Sequence, residues 1–296
     1  MTQQPVFRFA PSPNGRLHLG HALSALLNDE MARRVGGAFL LRIEDIDQTR
    51  ARPEFEAGII EDLDWLGLTF PERPRRQSEH LPAYRNALDR LAAMGLVYPS
   101  TLSRAEIRAA VAAAETKTGQ PWPRDPDGAP LYPGTERDFS TAARAEIVQA
   151  DKPFSWRLDM ARAIAATARP LTWLETGAGH AGETGVVTAD PAAWGDVILS
   201  RSDAPSSYHL SVTVDDAEQG VTHVVRGRDL FHATSVHRLI QTLLGLPVPV
   251  YHHHRLILGP DGRKLSKSNG DTAIAAYREA GMEAQALRAL VLGDQG

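Results

Sequence analysis

Two spacings of apolar residues alternate along the first hundred positions, and they predict alternating strands and helices. Val6-Phe7-Arg8-Phe9 reads as a short strand, and residues 10–20 read as a loop rich in Pro, Ser, Asn and Gly. Leu23, Leu26, Leu27 and Met31 then share one face of a helix from about His21 to Val35. Gly36-Gly37 ends it, and Ala38 to Ile43 has the length and apolar content of a fully buried strand. The acidic run Glu44-Asp45-Ile46-Asp47 emerges at that strand's C-terminal end. Pro53 opens a helix with Phe55, Ile59 and Leu63 on one face; a further helix carries Tyr84, Leu88 and Leu91 until Gly95 stops it, and Leu96 to Tyr98 is a short strand. Such alternation predicts an α/β fold with a parallel, doubly wound sheet and ligands at the strands' C-terminal ends.

Near residue 100 the pattern changes. Ser103-Arg104-Ala105-Glu106 has the form of a capping box that opens an Ala-rich helix to about Lys117, and residues 119–134 are rich in Pro, Gly and Asp. Between Pro153 and Trp194, short strands such as Phe154 to Leu158 mix with Gly-rich turns. The sheet pattern is expected to resume with Asp196 to Arg201, a segment from Tyr208 to Val214, the strand Thr222 to Arg226 and a helix from Asp229 to Leu244. The expected organisation is a sheet core in two halves, 1–98 and 196–245, an insertion at 99–195, and a C-terminal region at 246–296 that ends in an Ala/Leu helix.

The 296 residues are enough for one large or two to three modest domains, and 43% hydrophobic content supports a real core. A net charge of -4 argues against coating nucleic acid by bulk electrostatics, so RNA contact would need local patches such as Arg73-Pro74-Arg75-Arg76 or Arg104 and Arg108. The N-terminus lacks the apolar core of a signal peptide, and no run approaches a membrane span, so a cytoplasmic protein with no membrane partner is expected. With no cysteine, disulfides, thiolate nucleophiles and sulfur-ligated zinc are excluded.

Two short motifs carry chemistry. His18-Leu19-Gly20-His21 lies between loop and helix N-terminus, where backbone N–H groups and the positive helix end attract phosphate and Gly20 permits close approach. Both imidazoles can donate to oxygens on which charge builds as pyrophosphate leaves. The plainer readings are core or cap histidines, or a metal pair, for which no third ligand lies nearby and the i, i+3 spacing is unusual. At the other end, Lys264-Leu265-Ser266-Lys267-Ser268 holds two of the chain's four lysines among 32 basic residues. A compact, flexible ammonium kept there suits a phosphate that moves during reaction better than arginine's rigid fork. The plainer reading is a solvated turn. His252-His253-His254 is the other metal-like cluster, but adjacent residues on a strand face opposite sides, so no metal site is expected.

Arg8-Phe9-Ala10-Pro11-Ser12-Pro13-Asn14-Gly15 running into the histidine motif, then Arg42 to Asp47, then Arg226-Gly227-Arg228-Asp229-Leu230, then the lysine motif, resembles the catalytic core of class I glutamyl-tRNA synthetases. The resemblance covers nearly the whole chain. It implies a Rossmann-type core, an inserted acceptor-binding-like domain, a small stem-contact-like C-terminal region, and reaction through an aminoacyl adenylate formed from ATP with Mg2+. It further implies ATP contacts from Pro11, His18, Gly20, His21, Lys264, Ser266, Lys267 and Ser268, with His18, His21, Lys264 and Lys267 as catalytic groups. Arg8, Ala10, Ser12, Glu44, Tyr208 and Arg226 would form the L-glutamate pocket. Arg8 and Arg226 could clamp the two carboxylates bidentately, and Glu44 suits the α-ammonium. Glutamine would forfeit a charge-assisted bond of roughly 1.5–3 kcal/mol.

Two departures stand out. Family members often hold zinc through a Cys-x-Cys pair and a later Tyr-x-x-x-Cys, and the matching positions here are Ser100, Leu102 and Glu136, so no zinc is expected. The lysine motif ends at Ser268, 28 residues before the end of the sequence. An anticodon-binding domain needs about 100 residues or more, so none is expected. The chain therefore looks like the family's short paralogue, whose partner is queuosine-modified tRNA(Asp) rather than a tRNA 3′ end, and a monomer is expected. A truncated synthetase that charges a 3′ end and a non-catalytic RNA-binding paralogue are the alternatives.

Overall fold

A computed structural model describes residues 4–201, 204–259 and 272–293. β1 (Val6–Phe9) leads through a loop into α1 (Leu19–Arg34), and β2 (Ala38–Ile43) returns parallel to β1, with Val6 opposite Ala38 and Phe9 opposite Leu41. α2 (Pro53–Trp65), β3 (Arg75–Arg76), α3 (Leu81–Ala93) and β4 (Val97–Ser100) follow. The middle of the chain forms α4 (Arg104–Thr118), α5 (Thr141–Gln149), β5 (Ser155–Leu158), α6 (Met160–Ala165) and the hairpin β6 (Thr172–Glu175) and β7 (Gly185–Thr188). Then come β8 (Ile198–Arg201), α7 (Tyr208–Glu218), β9 (His223–Gly227), α8 (Thr234–Leu244), β10 (Val250–His254), α9 (Ile274–Glu279) and α10 (Ala284–Leu292). Ser103 caps α4 in a reciprocal box with Glu106, and Pro53 occupies the first turn of α2, both as the residue types require.

Seven strands form one sheet in the order β3-β2-β1-β9-β10-β6-β7, parallel except at the β6–β7 edge. The chain winds outward through β2 on one side of β1 and through β9 and β10 on the other. The C-terminal ends of β1, β2 and β9 therefore border the crevice where the winding reverses, the place at which α/β sheets take ligands.

β4, β5 and β8 form a separate antiparallel sheet. Residues 196–201 thus pair with β5 and do not resume the parallel sheet, whereas the hairpin at 172–188, expected within the insertion, extends the parallel sheet beside β10. An alternating pattern states that a strand buries one face but not which neighbour completes its ladder. The small sheet also lacks an independent core. Its Leu158 and Leu199 pack in one cluster with Leu91 of α3, Leu210 of α7 and Leu239 of α8. The opposite layer joins Leu23 and Leu26 of α1, Ile59 and Leu63 of α2, and Leu287 and Val291 of α10 to Phe7, Phe9, Leu41 and Ile43 of the sheet. Each such fully buried side chain contributes about 1.5–3 kcal/mol. Among the described residues, no helix is long and apolar enough to cross a membrane.

The charged interior is organised by α7. Asp216 accepts from Arg8 Nε at 3.0 Å and Arg42 Nη1 at 2.7 Å; Asp215 accepts from Arg75 Nε, Gln77 Nε2 and Tyr84 Oη, each at 2.8 Å. Arg42 is fully buried and also donates to Glu44 at 3.1 Å and Gln219 at 3.0 Å. Three carboxylates around one guanidinium hold it charged against the desolvation that burial imposes. Three of the arginines considered for an RNA patch are in ion pairs: Arg75 with Asp215 and Glu218, Arg76 with Glu56, and Arg73 with Glu79.

Arg42→Met keeps the volume but leaves Asp215, Asp216 and Glu44 buried without their shared cation. A loss of about 3–5 kcal/mol in unfolding free energy is expected from urea titration; a loss below about 1 kcal/mol would show that the cluster is dispensable.

Candidate active site

A cavity of about 450 Å3 opens at the C-terminal ends of β1, β2 and β9. Its wall contains Arg8, Ala10, Pro11, Ser12, His18, Gly20, His21, Glu44, Tyr208 and Arg226, so every candidate site residue among the described residues meets there. Lys264, Ser266, Lys267 and Ser268 lie outside the described residues.

The two motif histidines are built into the start of α1. His18 is the N-cap: its Nδ1 accepts from Gly20 N at 3.1 Å, while its own backbone N–H donates to His21 Nδ1 at 3.2 Å. In the neutral rings both Nδ1 atoms are therefore acceptors, and each proton sits on Nε2. The ring centroids are 3.8 Å apart. A Cβ at position 20 would lie 3.0 Å from His18 Cε1, so glycine keeps the His18 ring seated over the helix end. The cap reading and the phosphate reading thus describe one geometry, in which capping orients two donors and a helix N-terminus toward the cavity.

The arginine end of the cavity is more constrained than the sequence implied. Arg8 leans on Asp216 through Nε at 3.0 Å and Nη2 at 3.5 Å, which leaves Nη1 turned from that pair. Glu44 is held by Arg42, and burial raises its carboxyl above the usual range against the pull of Arg42 and Arg8. Arg226 has an acceptor for every donor: His253 Nε2 at 3.1 Å from Nε, Tyr208 Oη at 3.2 Å and His237 Nδ1 at 3.3 Å from Nη1, and Leu230 O at 3.1 Å and Thr234 Oγ1 at 2.7 Å from Nη2. A bidentate clamp by Arg226 would have to displace some of these. Its charge reaches the cavity, but its fork is already engaged.

Behind the pocket, His209, His237 and Glu175 carry no local sequence signal, while His253 and His254 come from the histidine run. Burial, followed by the Arg226 charge, holds His209 neutral at about 4 and His237 well below its ordinary value. Burial likewise lowers His253 to about 4, and His253 Nδ1 meets Glu175 Oε2 at 2.6 Å. Hydrogen bonds from His253 and the Gly177 N–H overcome the opposing effect of burial and bring Glu175 down to about 2. His254 is also lowered to about 4 by burial. Adjacent His253 and His254 bond separately, and no metal-competent group of three occurs among the described residues.

Residues 5–293 match the model of tRNA synthetases class I (E and Q), catalytic domain. The chain belongs to the class I tRNA synthetases. Within this family it is similar to the glutamyl-Q tRNA(Asp) synthetase of Rhodobacter capsulatus, 47% identical over 97% of this chain and 99% of that protein. It also resembles the glutamyl-Q tRNA(Asp) synthetase of Symbiobacterium thermophilum, at 40% identity over 93% of this chain and 81% of that one. A crystal structure of a glutamate tRNA ligase from Elizabethkingia meningosepticum in complex with its amino acid superposes with a TM-score of 0.79 and 26% identity, covering 98% of this chain and 60% of the ligase.

The positions matched to the family's zinc ligands form a hydrogen-bonded cluster. Glu136 accepts from Thr101 N at 3.0 Å, Thr101 Oγ1 at 2.9 Å and Tyr132 Oη at 2.9 Å. Ser100 Oγ accepts from Arg157 Nε at 3.1 Å, and the Arg157 guanidinium lies 3.8 Å over the Tyr132 ring. A guanidinium, a serine and an apolar Leu102 do not fit a zinc ion.

The depressed histidines make stability pH-dependent. Native His209, His253 and His254 resist protonation until about pH 4, whereas unfolded histidines bind protons below about 6.5. Their contribution is complete above that value and is lost as pH falls through the window, by up to about 1.4 kcal/mol per pH unit for each ring. Asp62, raised to about 6 chiefly by burial, works in the opposite sense and offsets part of it. Urea titrations should show stability falling between pH 7 and pH 5, with a shallower slope in His254→Gln; a flat profile in the unsubstituted protein would contradict this.

Proposed function

We propose that the chain activates L-glutamate with ATP as glutamyl adenylate and transfers it to the queuosine base in the anticodon of tRNA(Asp). The observation that carries this reading is the match to the Rhodobacter relative along 99% of that protein's length, beside a cavity that joins phosphate-directed histidines to carboxylate-directed arginines. The glutamate α-carboxylate attacks the α-phosphorus of ATP, supplied as its magnesium complex. His18 and His21 donate to the phosphates from α1, with Pro11 and Gly20 shaping the approach. Lys267 and Lys264, with Ser266 and Ser268, neutralise the departing pyrophosphate. The enzyme contributes mainly positioning and charge stabilisation.

In this reading Arg8 offers Nη1 to one carboxylate, Arg226 adds its charge beside Tyr208, and Glu44 accepts from the α-ammonium, with Ala10 and Ser12 lining the floor. Two guanidiniums favour glutamate over glutamine. A hydroxyl of the queuosine cyclopentenediol then displaces AMP from the adenylate. The enzyme is taken to act as a cytoplasmic monomer.

Labelled glutamate and ATP, given with tRNA(Asp) purified with or without queuosine, test the acceptor directly. Label is expected only on the queuosine-containing tRNA; incorporation indifferent to queuosine, or esterification of the 3′ end, would refute the assignment.

The insertion is read as zinc-free, because the matched positions are Ser100, Leu102 and Glu136, with Ser100 bonded to Arg157 and Glu136 to Tyr132. Elemental analysis of protein purified without chelator should find only substoichiometric zinc, and folding should not change with added zinc. One zinc per chain would overturn this.

A further inference from the structure

Beside the first cavity lies a second, of about 500 Å3, which shares Ser12, Asn14, Glu44 and Tyr208 with it and is also lined by Leu131, Trp194 and His209. A group seated there would stand beside Glu44 and Tyr208 of the first cavity. His209 lines this second cavity and belongs to a chain of hydrogen bonds: Arg226 Nη1 to His237 Nδ1 at 3.3 Å, and His237 Nε2 to His209 Nδ1 at 3.2 Å.

The direction of that chain is set by its first member. A guanidinium has donors only. His237 Nδ1 must therefore accept, so the proton of neutral His237 is on Nε2 and is donated to His209 Nδ1. The proton of neutral His209 is then on Nε2, on the ring edge away from His237, where no described residue bonds to it. Trp194 meets the His209 ring edge-on at 5.4 Å and limits its rotation.

We propose that His209 is a fixed-tautomer hydrogen-bond donor that orients the acceptor for the transfer step, its Nε2–H binding an oxygen of the incoming substituent. The inference rests on the acceptor reading given above. In this tautomer the nitrogen cannot serve as the general base, and it cannot satisfy an amine or ammonium donor. It selects an oxygen lone pair. A vicinal diol meets that requirement, since one hydroxyl can attack the glutamyl carbonyl while its neighbour accepts from His209. His237 is a positioning residue that transmits the polarity of Arg226.

The test separates activation from transfer. In His209→Phe, glutamate-dependent pyrophosphate exchange, including the KM for glutamate, should stay within about twofold. kcat/KM for glutamylation of queuosine tRNA(Asp) should fall about tenfold, as expected for one lost hydrogen bond of about 1–1.5 kcal/mol. His209→Gln, whose amide nitrogen can stand near the original Nε2, should recover most of that loss. Long-range 15N–1H spectra of the unsubstituted protein at neutral pH should show His209 as the Nε2–H tautomer. A proton on Nδ1, transfer unaffected by Phe, equal loss in Phe and Gln, or exchange and transfer falling together would each overturn the inference. An unsubstituted enzyme that does not glutamylate queuosine tRNA would remove the acceptor reading and this inference with it; any of the other results removes the inference alone.

Discussion

Two consecutive carboxylates on one helix, Asp215 and Asp216, tie the molecule together. Asp216 reaches Arg8 on β1 and Arg42 on β2, while Asp215 reaches Arg75 on β3 and Tyr84 on α3. One turn of α7 therefore fixes the relative positions of three parallel strands and the helix that covers them. Such a cluster need not add net stability, because desolvation offsets much of its Coulomb energy. Its value lies in geometry: partial disruption leaves an uncompensated buried charge, so the arrangement is held as a unit. Arg8 and Glu44 are both orientated by it, Arg8 through Asp216 and Glu44 through Arg42.

The crevice above this cluster is divided by charge. At one end, the capped start of α1 presents two imidazoles whose Nδ1 atoms are occupied, with a helix N-terminus that favours anions. At the other, Arg226 is surrounded by neutral histidines that accept its hydrogen bonds without adding positive charge. Burial keeps those rings uncharged at neutral pH, so the arginine's field is directed into the cavity with little competition from its neighbours. Glu44, held by a separate guanidinium, places a carboxyl group on the same cavity wall.

Beside the first cavity lies a second one. The small antiparallel sheet, the 124–132 loop and the start of α7 border the second cavity. Here Arg157 lies between Ser100 and Tyr132, and Ser100 is one of the positions matched to zinc-ligand cysteines of the family.

Much of the histidine end was legible in the sequence because its geometry is local: His18, Gly20 and His21 lie within four residues, and the helix they cap follows at once. The β1–α1–β2 unit, the capping box at Ser103 and the Pro53 helix start were legible for the same reason, since turn chemistry and periodicity act over a few residues. Grouping of Arg8, Glu44, Tyr208 and Arg226 came from resemblance, and the structure brings all four to one cavity. What only the tertiary structure decided was each side chain's partner: β8 joining β5, the β6–β7 hairpin extending the parallel sheet, α7 buried on nearly every side, and Arg226 meeting His237, His253 and Thr234. Periodicity states which face of an element is buried; which ladder or polar group waits on that face depends on contacts between distant segments, formed when the fold closes.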